Sequence, residues 1–408
     1  MTVPKLLHIR LRPAAEGQVR SGHPWVFEKS IQEQSRSGIA GEVAVIFDDK
    51  NRFLAAGLYD PHSPIRVRVL HCGKPQVIDP SMLAVRLLES LERRRELQDA
   101  GTNGVRLVHG ENDGLPGLVI DRYASTLVLK LYTSSWLTWL PGLIQTLIAM
   151  TPSPERIVLR LSRNLQELLL NQPGHQDGHM LHGPTPSEPV RFRESSLWFE
   201  ADVLRGQKTG FFLDQRENRQ YVETLSAGRD VLNAFSFSGG FSLYAARGGA
   251  RSVTDLDISA HALEGARRNF ALNTENKAIA SVHHETVQAN TFEWLAQTNR
   301  QYDLIILDPP SMAKRETERE RAIEAYQHLA ALALKRLRPN GILVAASCSA
   351  HVTVDEFFDT VREAGLQDKR QMKELRTSQH PKDHPATFRQ AAYLKCIVLQ
   401  SMPMTRNS

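Results

Sequence analysis

Three stretches of the chain differ in how hydrophobic and polar positions alternate. Up to about Leu70, short runs of period-two alternation lie between turn signals: Glu42–Phe47 ahead of Asp48–Asn51, then Phe53–Tyr59, then Ile65–Leu70. In the last run Ile65, Val67 and Val69 share one face while Arg66 and Arg68 share the other. The pattern predicts a small β-barrel with an exposed basic face. From Asp79-Pro-Ser81 to Leu97 the spacing turns helical, with Leu83, Leu87, Leu88 and Leu91 on one stripe and Arg86, Arg93, Arg94 and Arg95 largely outside it. Strand-like Leu118–Asp121 and Leu127–Tyr132 follow, then a helical stretch around Trp136 and Trp139. The Gly-, His- and Pro-rich segment Pro173 to Pro189 reads as a loop or a domain boundary. Beyond Val190 strands alternate with helices, the pattern of a parallel sheet with crossover helices. Its strands are expected at Asp230–Phe235, Ser252–Asp257, Tyr302–Leu307 and Gly341–Ala346. Domains are therefore expected over residues 1–74, 75–189 and 190–408.

Composition adds bounds rather than chemistry. The 408 residues exceed one ordinary domain, and 41% hydrophobic with 23% charged residues is the balance of a soluble globular protein. No apolar run reaches the ~20 residues that span a bilayer, so no membrane partner is expected. Met1–Lys5 carries no secretory apolar region, which makes the cytoplasm the expected location. Cys72, Cys348 and Cys396 are too scattered for a disulfide framework or a metal cluster, so no metal is expected. A net charge of +5 and a pI near 9.1 favour an anionic partner, as they would in any mildly basic protein.

The first candidate chemistry lies at the end of the strand reaching Phe235. Ser236-Phe-Ser-Gly239 follows it, and a helix begins near Phe241. Glycine at such a turn lets the backbone approach a ligand, and Asp257 ends the next strand roughly 20 residues on, where a ribose-binding acid is expected. The Gly-x-Gly-x-x-Gly pattern that seats a pyrophosphate is missing. A ribose-bearing cofactor without phosphates fits better, and S-adenosylmethionine is such a molecule. Asp255 alternates in phase with Asp257 and is read as structural.

The second lies two strands further. Leu304–Leu307 stops at Asp308-Pro309-Pro310, which would aim a carboxylate into the crevice beyond the strand ends. The following strand delivers Ser347-Cys348-Ser349 to the same edge. A buried cysteine is ordinarily packing, and Cys396 in Tyr393–Leu399 and Cys72 beside a turn are read that way. At the strand end Cys348 is read as a nucleophile. C5 of cytosine is a poor nucleophile, and a thiolate added to C6 makes it able to attack an electrophilic methyl. Asp308 could bond the base at N3 or N4; the group that removes the C5 proton is not legible.

With these residues in view, the chain resembles the cytosine-C5 methyltransferases of large-subunit ribosomal RNA that carry an N-terminal PUA domain. Gly22–Phe27 and Gly57–Ser63 resemble the PUA segment, His109–Asp121 the central domain, and Gly206–Arg219 the entrance to the methyltransferase domain; Asn233–Phe241, Asp308–Pro310 and Ser347–Ser349 complete the match. The resemblance implies a Rossmann-like class I methyltransferase domain preceded by a small β-barrel PUA domain and a central α+β domain. It implies that Lys208, Thr209, Phe212, Asp214 and Arg216 approach the methionine end of S-adenosylmethionine. Asn233, Phe235, Ser236 and Gly239 would surround the cofactor, with Asp257 on its ribose and Asp308 beside it. Asn290 stands where the family has an acid for the adenine, and its side-chain oxygen could take that contact. Cys348 becomes the covalent nucleophile, Arg66 and Arg68 part of an RNA-binding surface, and ribosomal RNA or the large subunit the partner, with a homodimer left open. Asp383-His384-Pro385 also matches a family loop, with proton transfer and a turn role both open; Lys314–Arg321 reads as a solvated helix face. Two other readings remain: an RNA guanine or amino-group methyltransferase without a covalent intermediate, and a non-catalytic RNA-binding assembly factor.

Overall fold

A computed structural model describes residues 6–98, 101–368 and 370–402. Met1–Lys5, on which the expected location was read, lies outside them. The chain divides into two compact units. One holds the described residues up to Ser196 together with Ala201–Leu213 and Asp383–Phe388; the other holds Leu197–Glu200, Asp214–Lys382 and the described residues from Arg389 on.

The first unit contains two sheets. Strands β1 (Leu7–Leu11), β2 (Trp25–Phe27), β3 (Ile31–Gln34), β4 (Val43–Phe47), β5 (Phe53–Tyr59) and β6 (Ile65–Cys72) run in the order β2-β6-β5-β4-β1-β3, antiparallel except for β1 beside β4. Alternation puts Leu7, Ile9, Leu11, Ile46 and Val67 in its core. Gly57 is needed where β5 crosses β6, because a Cβ there would meet the Arg68 carbonyl oxygen at 2.1 Å.

The exposed basic face expected on β6 does not form. Arg68 is only 5% exposed, packed so closely on Gly117 that a Cβ there would come within 2.8 Å of its Nε. Arg66 is also largely covered, ion-paired to Glu28 at 2.5 Å and donating to the Asp60 and Pro61 carbonyls. Alternation decides which residues share a face, but not whether that face meets water. Here Ala56, Leu58 and Leu70 of the same two strands pack into the core of the second sheet.

That second sheet is formed by β7 (Gly104–His109), β8 (Leu118–Tyr123), β9 (Thr126–Leu131), β10 (Arg156–Leu161) and β11 (Met180–His182), in the order β11-β10-β9-β8-β7. The segment read as a loop from Pro173 thus contributes the short edge strand β11. Helix Pro80–Glu92 starts where the Asp79 side chain accepts the Met82 N–H, with Pro80 in its first turn. It buries Leu83 and Leu87 against this sheet, together with Leu143 and Leu147 of helix Leu140–Ile148.

The chain reaches the second unit through β12 (Val190–Glu194) and β13 (Leu197–Ala201). There β14 (Asp230–Ala234), β15 (Ser252–Asp257), β16 (His283–Gln288), β17 (Tyr302–Leu307), β18 (Leu337–Ser347), β19 (Met372–Ser378) and β20 (Lys395–Ser401) form one seven-stranded sheet in the order β16-β15-β14-β17-β18-β20-β19. Neighbours from β16 to β18 are parallel, and β20 is antiparallel to both of its neighbours. This is the Rossmann-like doubly wound sheet expected from Val190 onward. The strand order reverses between β14 and β17, which opens a crevice at the carboxyl ends of those strands. Strands β14, β17 and β18 read as continuous apolar runs because both faces are buried, Leu232, Ile305 and Leu343 on one side and Val231, Leu304 and Ile342 on the other. Among the described residues no helix is long and apolar enough to cross a membrane.

Candidate active site

Strand β14 ends in a turn whose backbone is held in an unusual shape. Phe235, Phe237 and Gly239 all have positive φ, at 61°, 49° and 74°. For the two phenylalanines this costs on the order of 1–3 kcal/mol each, strain that persists where the surroundings impose it and that tends to gather at functional sites. Those surroundings are a buried polar network. The Asn233 amide donates to Ser242 Oγ (2.9 Å) and to Asp255 Oδ1 (3.2 Å); Ser242 also donates to Asp255, whose other oxygen meets His284 Nε2 at 2.8 Å. His284 in turn stacks on Phe270, with ring centroids 3.6 Å apart. Asp255 is therefore a support for the turn. Gly239 is packed so tightly that a Cβ would lie 2.9 Å from Ala266 Cβ and 3.1 Å from Asp255 Oδ2.

Asp257 closes the turn from the end of β15. Its Oδ2 accepts the Phe237 N–H and its Oδ1 the Ser259 N–H, both at 2.9 Å. Each oxygen still has a lone pair for a ligand hydroxyl. Asn233 Oδ1, Ser236 Oγ and Ser238 Oγ are buried without a hydrogen-bond partner. Three such oxygens within six residues are costly unless something fills the turn with donors. A ribose-bearing amino-acid cofactor with hydroxyl and ammonium donors fits them. Asn290 is exposed and caps helix Thr291–Gln297, its side-chain oxygen accepting from Phe292 N and Glu293 N. An adenine amine would have to share that oxygen with the cap.

At the end of β17, Asp308 Oδ1 accepts from Gln215 Nε2 at 2.9 Å. Gln215 Oε1 accepts from Asn218, and Asn218 Oδ1 from Ser378, each at 2.6 Å, so a chain of oriented amides fixes the carboxylate. Beyond it, Ser311 Oγ lies 3.2 Å from Ser349 Oγ, which also accepts the Met312 N–H. Ser347 and Ser349 both bond the buried Tyr326 hydroxyl, at 2.9 and 2.8 Å. Cys348, half-buried, lies between these two serines just beyond the end of β18. Cys396 is fully buried on β20, and burial pushes its thiol up to about 12, which leaves it an inert core residue. Beside the Asp308 loop a groove of about 460 Å³ is lined by Ser311, Met312, Lys314, Glu318 and Arg321. Of Lys314–Arg321, read as a solvated helix face, Lys314–Thr317, Glu320 and Arg321 are exposed, but Glu318 and Arg319 are half-buried and the α-helix begins only at Arg319.

The remaining candidates are spread over both units. In the second unit Asp214 is buried and accepts from the Tyr393 hydroxyl at 2.8 Å, and Arg216 is buried at the start of helix Arg216–Leu225. In the first, Lys208 Nζ sits 5.1 Å from the Phe212 ring centroid, and Thr209 is fully buried, donating to Asp121 (2.6 Å) and touching the Tyr123 hydroxyl (2.9 Å). Asp383 and His384 are buried in that same unit, paired to each other at 3.0 Å, with Asp383 Oδ2 accepting the Arg106 N–H. Gln215, Asn218 and Tyr326 escaped the sequence reading. The first two sit inside the quoted Gly206–Arg219 segment, whereas nothing in the pattern around Tyr326 marks it.

Residues 106–399 match a family model described as S-adenosylmethionine-dependent methyltransferase, and residues 9–71 one described as a PUA-like domain. A ribosomal RNA large subunit methyltransferase of Deinococcus radiodurans is 54% identical over 402 residues, 97% of either chain. A ribosomal RNA large subunit methyltransferase I of Shewanella denitrificans is 34% identical over 402 residues, 96% of this chain and 98% of the relative. The solved structure of a proposed SAM-dependent methyltransferase from Streptococcus mutans superposes with a TM-score of 0.79 at 21% identity, covering 96% of this chain and 99% of that one. A methyltransferase structure complexed with SAH gives 0.80 at 22% identity, with the same coverage.

Proposed function

The chain belongs to the S-adenosylmethionine-dependent methyltransferases that carry a PUA-like domain, and on that premise we propose that it methylates C5 of a cytosine in ribosomal RNA of the large subunit. The RNA substrate is drawn from what its relatives are named for, and the cytoplasm, where ribosomes are built, is the matching location. When bound, the cofactor supplies an electrophilic methyl on a sulfonium sulfur. Asn233, Ser236 and Asp257 would hold it, with the partnerless oxygens of the first two meeting its donors. Cys348 adds as thiolate to C6 of the base, and the electron pair displaced from the C5–C6 double bond makes C5 the attacking carbon. Asp308, oriented by Gln215, bonds N3 or N4 and stabilises the adduct. After methyl transfer the C5 proton leaves, the double bond re-forms and Cys348 departs as thiolate.

The observation that carries this reading is the placement of Cys348. Its loop is pinned through Ser347 and Ser349 at the strand edge that also presents Asp308. Methylation of a ring nitrogen or exocyclic amine needs no thiol there. The test is a nucleoside digest of large-subunit ribosomal RNA from cells with and without the gene. We expect one 5-methylcytidine to be lost; loss of a methylguanosine instead, or no change, would overturn the assignment.

A further inference from the structure

The hydroxyls around the end of β18 form a string of hydrogen bonds whose direction follows from counting protons. Each hydroxyl has one proton to give and two lone pairs to accept with. Ser311 gives its proton to the Ala313 carbonyl at 3.0 Å, so at its 3.2 Å contact with Ser349 it accepts. Ser349 has then spent its own proton, and at 2.8 Å it accepts from the Tyr326 hydroxyl. Tyr326, whose phenol is pushed up by burial and keeps its proton, accepts in turn from Ser347 at 2.9 Å. The protons therefore run one way, from Ser347 through Tyr326, Ser349 and Ser311 to the Ala313 carbonyl.

This string crosses three elements. Ser347 closes β18, Tyr326 lies on helix Arg319–Lys335, and Ser311 follows Asp308 and two prolines beyond the end of β17. They meet at Ser349, which is fully buried: its Oγ also accepts the Met312 N–H at 3.0 Å, with the Ala313 N–H at 3.4 Å. The main chain of Ser349 is held as well. Lys395, fully buried at the start of β20, donates from Nζ to the carbonyls of Ser349 and Val352. Pro309 and Pro310 leave little backbone freedom between Asp308 and Ser311.

The geometry points to Tyr326 as a positioning residue: through Ser349 its hydroxyl fastens the loop after β17 to the loop after β18, and so fixes the separation between Asp308 and Cys348. The consequence for turnover rests on the reading that these two act on one base, whereas the coupling of the loops does not. Misplacing reacting groups by about 1 Å can cost about 10²-fold. Tyr326 acts through Ser349 rather than on the base, so its loss should fall on kcat and spare binding.

Tyr326→Phe removes the hydroxyl and keeps the ring, which packs edge-on to Phe357 with centroids 5.0 Å apart. Hydrogen exchange of the full-length variant should speed up around Met312 and around Ser349 together. Its kcat should fall by about 10- to 100-fold, with KM for RNA and Kd for S-adenosylhomocysteine unchanged. Adduct formation on RNA containing 5-fluorocytosine should slow by a similar factor, because thiol attack needs the fixed separation. Ser349→Ala breaks the same link, so the double variant should be no slower than the slower single one. Should Tyr326→Phe not fold, Ser349→Ala is read in the same way. Phe357→Leu loosens the packing of the ring but leaves every hydroxyl in place; it should lower stability and keep kcat. A folded Tyr326→Phe whose exchange stays at the wild-type rate in either loop overturns the inference. So do additive losses in the double variant, and so does a Phe357→Leu as slow as Tyr326→Phe, which would reduce the effect to general loosening. If both loops exchange faster but the wild type forms no adduct, the C5 reading falls and the coupling stands.

Discussion

Both units bury polar groups, but of different kinds and in different states. The first unit buries charges in pairs: Arg94 with Asp113 at 2.7 Å, Arg106 with Asp121 at 2.7 Å, Arg160 with Asp177 at 3.0 Å. The Asp113 carboxylate is saturated, taking Arg93, both Arg94 nitrogens and the His109 N–H, and Asp121 takes the Thr209 hydroxyl besides Arg106. The second unit, along its carboxyl edge, buries mainly amides and hydroxyls, and leaves three oxygens between Asn233 and Ser238 unbonded. Unbonded atoms occur in the first unit too, on Arg68 and Arg94 for example, but scattered among separate elements. A saturated ion pair fixes one arrangement of the chain and has nothing left to offer a ligand. A run of orphan oxygens in a strained turn is an arrangement that a ligand completes.

The largest expected effect breaks the comparison on the side of the second unit. Cys348→Ala should reduce turnover by at least about 10³-fold, as loss of a covalent nucleophile does, while binding of S-adenosylhomocysteine persists. On RNA containing 5-fluorocytosine the wild type should be trapped as a protein–RNA adduct, because fluorine blocks the final elimination, and Cys348→Ala should give none. Normal turnover by the variant would replace the C5 mechanism with nitrogen methylation.

Next comes the first unit. Arg94→Met should cost about 3 kcal/mol in urea unfolding, since it removes the buried bidentate partner of Asp113 and leaves that carboxylate to the half-exposed Arg93 and the His109 N–H. Burial pushes the Asp113 carboxyl up, but the Arg94 hydrogen bonds outweigh it and hold the group below its ordinary value. Its contribution to stability is therefore present above the unfolded-state pKa and lost as pH falls through the folded one. Wild type should weaken below about pH 4, and Arg94→Met should have less to lose there. A flat acid limb in the wild type would show that the pair is not worth its geometry. Smaller still, Asp257→Ala should weaken S-adenosylhomocysteine binding by about 1–3 kcal/mol in isothermal titration, through lost hydroxyl bonds and a freed Phe237 N–H. Unchanged binding would place the ribose elsewhere.

What could be read from the sequence follows the same division. The strand ends of the second unit were legible because an apolar run stopped by Asp308-Pro309 or by Ser347 marks both the strand and its edge. The edge strands β16 and β19 were not, because His283–Gln288 and Met372–Ser378 are polar and half-exposed, with no buried face to write a pattern. β7 and β10 were missed for a different reason: they bury both faces and place Arg106 and Arg160 inside, so no alternation survives. Asp255 was read correctly as a support, yet its partners His284 and Ser242 lie on other elements that only folding brings together. Lys395 and Tyr326 are the clearest losses, since a lysine in a strand reads as solvent-facing and a tyrosine in a helix as packing.

Arg68 gives the smallest predicted effect and the sharpest control on the first unit. Its guanidinium is buried, its Nε and Nη1 lack hydrogen-bond partners, and Nη2 makes a long 3.5 Å contact with the Tyr132 carbonyl. Burial draws its pKa down while the charges of Glu111 and Asp60 act against this from a distance, without a direct ion pair. Such a cation differs from Arg94, whose removal takes away the buried bidentate partner of Asp113: taking Arg68 away leaves no close partner uncompensated. Methionine has a comparable unbranched length and fills irregular space well. Arg68→Met should therefore lie within about 1 kcal/mol of wild type in urea unfolding, on either side of zero. RNA affinity measured against salt in the same variant separates the two uses of the side chain. A slope reduced by the equivalent of one phosphate contact would mean that the guanidinium reaches RNA from beneath Gly117. A loss of stability as large as that of Arg94→Met would mean that unbonded charge in this unit is as structural as paired charge, and the contrast between the two units would collapse.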